Sequence, residues 1–228
     1  MENFNKQKFL YLCKARFIGK KLICFKTVNS TNDYASRLED KALKLNKPDD
    51  FFEKFNGTVI ISETQSDGHG RNYKKWYSPS GGLWFTLILL SKIKAADVEK
   101  VNLIMAVSIY EAIKFEFGIN TRIKWPNDIY YKDRKICGIL SQLNTHYGAS
   151  FLNIGAGLNV NLSFKEISSE DTQIISKASS LKEITKKDAD REKLLAGILE
   201  NFEINYEKYL ETQDMRNIFS KIGNSISI

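Results

Sequence analysis

The sequence predicts an α+β domain built on a mixed, mostly antiparallel β-sheet with helices packed on one face. Three observations predict it. Short stretches of strand character dominate, and several are joined by brief turns. Two long stretches, residues 96–117 and 190–209, carry apolar residues at helical spacing. The chain of 228 residues has only 3 prolines and no Gly/Ser-rich linker, so one compact unit is expected.

Residues 21–28 (KLICFKTV) are rich in β-branched and aromatic side chains and read as the first strand. Ser30 or Thr31 then caps a helix running to about residue 45, with Asp33 favourable in its first turn. Residues 58–63 (TVIISE) form a second strand, followed by a polar, glycine-bearing loop over 64–75. Residues 83–90 (LWFTLILL) are continuously apolar, as a strand buried on both faces requires. In the 96–117 helix the apolar positions include Val98, Val101, Ile104, Val107 and Ile109. A short strand over 121–124 ends at Trp125-Pro126. Residues 129–131 and 135–143 flank Asp133-Arg134 as a hairpin, and 151–158 is a further strand. The tail after Tyr209 supplies a helix and one strand, 225–228.

Composition bounds the function. Hydrophobic residues make up 43% and charged residues 27%, the balance of a soluble globular protein. The net charge of +7 is modest and spread along the chain, which fits a solvated basic surface or acidic partners. Cys13, Cys24 and Cys137 are isolated and form no CxxC pair. With only His69 and His146 to join them, neither a structural zinc site nor a disulfide framework is expected. The N-terminus lacks the pattern of a signal peptide, and the longest apolar run is too short to cross a bilayer. The expectation is a cytoplasmic protein with no membrane partner.

Four segments can carry chemistry. The first, GHGRNYKKW at 68–76, follows a strand. Its two nearby glycines, its cations and a flat Trp76 suit an anion cradle, although an ordinary basic loop has the same composition. It is not a Walker P-loop. The second, Lys124-Trp125-Pro126-Asn127-Asp128, places two polar groups past a strand end, or simply terminates the strand. In the third, Lys135 opens an otherwise apolar strand as either an exposed end or a reactive cation. The fourth, Gly155-Ala156-Gly157-Leu158-Asn159, marks a close approach or a tight turn.

Taken together and in this order, the segments resemble the catalytic domain of biotin protein ligases, over residues 21–209. The motifs that carry the resemblance are Ser30-Thr31-Asn32, Glu63-Thr64-Gln65, GHGRNYKKW at 68–76 with Ser78-Pro79, KWPNDIY at 124–130, RKICGIL at 134–140 and GAGLNVN at 155–161. The resemblance implies the class II synthetase-like fold of biotin and lipoate ligases. It also implies ATP-dependent activation of biotin to biotinyl-5′-AMP with release of pyrophosphate. Biotin is then transferred to a lysine of a biotin carboxyl carrier domain, that of acetyl-CoA carboxylase.

By the same resemblance, Arg71 and Lys135 are the catalytic cations. Ser30, Thr31, Asn32, Gln65, Gly68, His69 and Gly70 hold biotin together with those two, Gly138, Leu140, Gly155 and Gly157. Lys74, Trp76, Lys124, Asn127, Asp128 and Asn159 face ATP. Asp128 is also a magnesium contact, direct or through water, so ATP, Mg2+ and biotin are the implied small molecules. The chemistry agrees. A carboxylate and a triphosphate are both anions, so cations must bring them together, and no nucleophilic side chain is needed.

The loop departs from the family pattern G-R-G-R-x-G-R-x-W. His69 stands for an arginine, Tyr73 for a glycine and Lys74 for an arginine, which predicts weaker retention of the adenylate. The reading divides the chain into a catalytic domain, 1–210, and a short tail, 211–228, as a remnant of the family's C-terminal domain. No N-terminal winged helix is expected, hence no DNA partner. The assembly is a monomer or homodimer. The competing readings are a lipoate ligase-like acyl-adenylate transferase and a non-catalytic sensor that binds biotin or DNA.

Overall fold

The computed structural model describes residues 3–44, 54–90, 93–146, 149–164 and 176–227. Its main elements are α1 (Lys6–Leu12), β1 (Leu22–Val28), α2 (Thr31–Leu43), β2 (Val59–Gln65), β3 (Leu83–Leu90), α3 (Val98–Phe117), β4 (Arg122–Lys124), β5 (Asp128–Tyr131), β6 (Arg134–His146), β7 (Ala149–Leu158), α4 (Leu181–Thr185), α5 (Arg191–Thr212), α6 (Arg216–Ile222) and β8 (Ile226–Ser227). The strands form one sheet in the order β1-β2-β3-β7-β6-β5-β4-β8. Only the outermost pairs, β1/β2 and β4/β8, are parallel. This is the mixed, mostly antiparallel sheet that the sequence predicts.

β3 shows how the layers are set. Successive strand side chains point to opposite faces. Leu83, Phe85, Leu87 and Leu89 enter the main core with α1, α3 and α5. Ile88 meets Ala35 of α2, Ile60 and Phe151 on the other face. The expectation of helices on one face holds for the long helices, while α2 covers the opposite face of β2, β3 and β7. Apolar residues at both parities of β3 require that second cover. The expected end of α2 near residue 45 lies outside the described residues.

Local signals account for the helix ends. Ser30 Oγ accepts from Asp33 N–H at 3.3 Å and starts α2. Asp190 starts α5 by accepting from Lys193 N–H at 3.0 Å. Gly118, at φ 66°, ends α3. The sequence reading missed α1, which is capped by Asn5 and buries Phe9. The segment after α1 is held to α5 by carboxylates that accept from its backbone. Glu203 takes the N–H groups of Phe17 and Ile18, both at 3.0 Å, and of Arg16. Arg191 and Glu63 form a buried bidentate pair, at 3.0 and 3.1 Å, between α5 and β2.

The tail folds back as a helix and a strand. Ile218 and Ile222 of α6 join the main core, and β8 pairs with β4. The expected strand position at residue 228 lies outside the described residues. Among those described, no helix is long and apolar enough to cross a membrane.

Candidate active site

A cleft of about 850 Å³ opens on the face that carries α2, over the inner ends of β6 and β7. Two glycines decide its shape. A Cβ on Gly155 would fall 2.3 Å from Asn32 Oδ1, and one on Gly157 would fall 2.4 Å from Trp76 Nε1. Glycine at both positions therefore lets Asn32 and Trp76 lie flat against β7, so the close approach is made first by protein side chains. Gly138 on β6 admits the other edge of Trp76, where a Cβ would meet the ring at 3.1 Å.

One end of the cleft is a chain of hydrogen bonds. The Thr31 N–H donates to Gln65 Oε1 at 2.8 Å, and the Gln65 amide donates to Ser78 Oγ, also at 2.8 Å. Thr86 Oγ1 lies 2.9 Å from Thr31 Oγ1 and 2.6 Å from Asn32 Oδ1, and Asn32 donates to the Leu140 carbonyl at 3.1 Å. Ser30, Thr31 and Asn32 are buried, so these groups are fixed before a ligand arrives. Thr86 was not singled out from sequence. Its signal was a lone hydroxyl inside the apolar run LWFTLILL.

The loop over 68–76 folds on itself. Trp76 N–H donates to Gly68 O at 2.7 Å, Gly70 N–H to Lys74 O at 2.8 Å, and His69 bridges Lys75. Asn72 and Tyr73 at its tip adopt left-handed φ values of 56° and 53°, and Tyr73 is 87% exposed. His69, Gly70, Arg71 and Lys74 line the cleft. Gly68 does not: it packs behind the wall, where a Cβ would meet Ser78 Oγ at 2.7 Å.

Lys135 stands at the other end. Its Nζ is 2.7 Å from Asp128 Oδ1 and 5.1 Å from the centre of the Trp76 ring. Its backbone is held by Lys177 O at 2.8 Å and by the Ser179 N–H at 3.0 Å. Asn127 donates to Ile139 O and Asn159 to Ser179 O, both at 2.9 Å. Three buried polar atoms of the lining residues make no hydrogen bond to the described protein groups: Asn127 Oδ1, Trp76 Nε1 and Asp128 Oδ1, the last meeting Lys135 as an ion pair. A buried acceptor and a buried donor left open are costly without a ligand or water to meet them. Phe164 and Ala178 pack with Trp76 against Trp84 and Leu162, a wall that no motif indicated.

The structure thus brings Ser30, Thr31, Asn32, Gln65, His69, Gly70, Arg71, Lys74, Trp76, Asn127, Asp128, Lys135, Gly138, Leu140, Gly155, Gly157 and Asn159 to one cleft. Lys124 stays outside it, exposed on β4, one strand beyond Asp128. Burial, and after it the Asp128 carboxylate, pushes the Tyr130 phenol above its ordinary value. Burial likewise raises the Cys137 thiol, which lies in the core and offers no thiolate. Among the described residues there is no cluster of three or more His, Cys, Asp or Glu that could hold a metal.

The Biotin/lipoate A/B protein ligase family model matches residues 25–161, more than half of the chain. This chain belongs to that family. The bifunctional ligase/repressor BirA of Bacillus subtilis is 31% identical over 86% of this chain, which spans 57% of that relative's length. The biotin–protein ligase of Homo sapiens is 31% identical over 70% of this chain and 22% of its own. A biotin protein ligase from Aquifex aeolicus, solved in complex with biotin and ATP, superposes with a TM-score of 0.71 at 29% identity, over 91% of this chain and 78% of that one. The family match runs from the middle of β1 to Asn161, which includes most of the cleft.

Proposed function

We propose that the chain is the catalytic part of a biotin protein ligase, which makes biotinyl-5′-AMP from biotin and ATP and then biotinylates a lysine of a carrier domain. One observation carries the reading. A buried polar end and, opposite it, a lysine beside an aromatic wall with a buried donor and a buried acceptor that no described protein group meets share a single cleft. Those are the kinds of group an acyl-adenylate of biotin needs: partners for a ureido ring, a cation for the carboxyl–phosphate junction and an aromatic surface for the base. The volume suits such a ligand. The relatives named as biotin protein ligases support the choice.

In this reading Ser30, Thr31, Asn32 and Gln65 take the ureido ring, with the backbone of His69 and Gly70, while Gly68 supports the wall from behind. Gly138, Leu140 and Gly155 border the apolar tail. Arg71 and Lys135 hold the carboxylate against the α-phosphate and stabilise charge as the oxygen attacks phosphorus and pyrophosphate departs. Trp76 stacks on the base, Asn127 and Asn159 meet its edge, and Gly157 keeps Trp76 in place. Lys74, and Lys124 from outside the cleft, add positive charge on the ATP side. In the second step the carrier lysine attacks the acyl carbon and AMP leaves. No side chain of the enzyme becomes covalently attached.

Asp128 is the one acidic side chain that lines the cleft among the described residues. That fits a magnesium ion that arrives on the triphosphate, with Asp128 as a contact, and does not fit an all-protein metal site. When bound, the ion would neutralise the departing diphosphate. Lys135 already engages the same carboxylate, so Asp128 also holds the catalytic amine in place.

We assign residues 1–210 to catalysis and 211–228 to a tail that closes the sheet edge. The carrier of acetyl-CoA carboxylase is the proposed acceptor, and the cytoplasm the proposed site of action. The test is ATP–pyrophosphate exchange with biotin and with lipoate. Exchange with biotin that disappears in Arg71→Ala/Lys135→Ala supports the reading. Exchange with lipoate alone would assign the other branch of the family.

A further inference from the structure

We propose that Glu183, which lies outside the cleft, is a positioning residue: its carboxylate clamps the wall behind Trp76 to the segment that holds Lys135. Two separate pieces of chain share it. The Phe164 N–H donates to Oε1 at 3.0 Å, and the Ser179 hydroxyl donates to Oε2 at 3.0 Å. The Arg134 guanidinium stands 3.8 Å from Oε2, next in sequence to Lys135. The Glu183 side chain is 15% exposed, so its charge-assisted bonds are sheltered from water. The carboxylate does not place its own helix. Leu181 of α4 is fully buried, its N–H donates to Asn159 O at 3.0 Å, and the Lys182 N–H donates to Val160 O at 2.9 Å. Ser180 Oγ caps α4 by accepting from the Glu183 N–H at 3.1 Å. Removing the carboxylate therefore frees Phe164 and Ser179 rather than α4.

Both arms end on groups of the site. Phe164 packs with Trp84 and Leu162 behind Trp76 and lines the cleft. The Ser179 N–H donates to Lys135 O at 3.0 Å, and Ser179 O accepts from the Asn159 amide at 2.9 Å. One carboxylate thus connects the aromatic wall, the Lys135 backbone and Asn159. The clamp geometry stands independently of the proposed activity, and its effect on ATP rests on the ligase reading. Hydrogen-bond chemistry separates the clamp from mere bulk. Glutamine at 183 still accepts from the Phe164 N–H. Its amide then donates to the Ser179 hydroxyl, which accepts as well as it donates. Alanine keeps neither arm.

Two measurements test it. The first is hydrogen exchange at the Phe164 amide of the ligand-free protein. Protection should fall in Glu183→Ala and return in Glu183→Gln. The second is ATP–pyrophosphate exchange with biotin, each substrate varied in turn. Glu183→Ala should raise the KM for ATP about tenfold, the scale of lost bonds to a charged group, and change the KM for biotin less than about twofold. Glu183→Gln should bring the KM for ATP back to within about twofold of wild type, because both arms are kept. Ser179→Ala removes one arm and should raise the KM for ATP about threefold, and it carries the test if Glu183→Ala does not fold. Phe164 protection that survives Glu183→Ala overturns the clamp. A rise in both KM values alike, or in neither, overturns the link to the nucleotide end. The expected protection pattern in a protein that exchanges pyrophosphate with neither biotin nor lipoate upholds the clamp and faults the ligase reading alone.

Discussion

At the scale of single residues, Gly157 and Lys135 separate the two sides of the cleft. An alanine at 157 puts a methyl 2.4 Å from Trp76 Nε1 and must push the ring off β7. Gly157→Ala is expected to raise the KM for ATP about tenfold or more, with a smaller effect on biotin. Steady-state kinetics with each substrate varied in turn checks this, and an equal rise for both would contradict the placement of Trp76. Lys135 is held by Asp128 at 2.7 Å. Asp128→Asn removes the charge that holds the amine and should lower kcat about tenfold, on the scale of a lost close ion pair at a partly buried site. Single-turnover adenylate formation measures it.

Sequence motifs indicated these residues but not what each one touches. The glycines of GAGLN read as space for a ligand, and the structure gives that space to Asn32 and Trp76. Thr86 connects Thr31 to Asn32, yet a threonine inside a buried strand looks like any other β-former. Lys124 was placed on the ATP side by resemblance, within the motif KWPNDIY. Its strand lies beyond β5, and its side chain is exposed outside the cleft.

At the scale of elements, the strap before β1 depends on one carboxylate. Burial alone would raise the Glu203 carboxyl, but the N–H groups of Ile18, Arg16 and Phe17 outweigh it, and the group sits below its ordinary value. A carboxyl lowered by folding adds stability that is present above its unfolded value, about 4.3. That stability is lost as the pH falls through the folded value. Denaturant midpoints should therefore drop between pH 6 and pH 3.5 more steeply in wild type than in Glu203→Gln. At neutral pH Glu203→Ala should cost about 2–4 kcal/mol, because it strands buried N–H groups. A flat midpoint for wild type across that pH range would contradict the role.

The elements differed in how legible they were. β3 was read to the residue because a run of seven apolar residues interrupted only by Thr86 admits little besides a strand buried on both faces. α3 and α5 were read because their apolar spacing runs over many turns. α1 is a two-turn helix with one fully enclosed side chain, Phe9. Its place is fixed by Glu192 and Glu200, far along the chain, which no local window contains. The position of α2 on the opposite face was likewise a tertiary fact. It follows from the need to cover Ile60, Ile88 and Phe151, whose parity was visible but whose cover was not.

At the scale of the molecule, the tail is part of the fold. Ile218 and Ile222 sit in the same core as α3 and α5, and the Trp125 N–H donates to Ser227 O at 2.8 Å, beside Asn127 and Asp128. Ending the chain after residue 212 removes two buried side chains worth about 1.5–3 kcal/mol each and the strand beside the 124–128 turn. The truncated protein should unfold at lower denaturant and lose ATP affinity more than biotin affinity. Chemical unfolding and equilibrium binding of each substrate would show it, and an unchanged ATP affinity would separate the tail from the site.

The most direct test of the central claim is transfer of labelled biotin to the lysine of a purified biotin carboxyl carrier domain, with ATP and magnesium, beside the Arg71→Ala/Lys135→Ala protein. The account predicts label on that lysine with wild type and none with the double variant. Wild type that leaves the carrier unlabelled and forms no biotinyl-adenylate would contradict it.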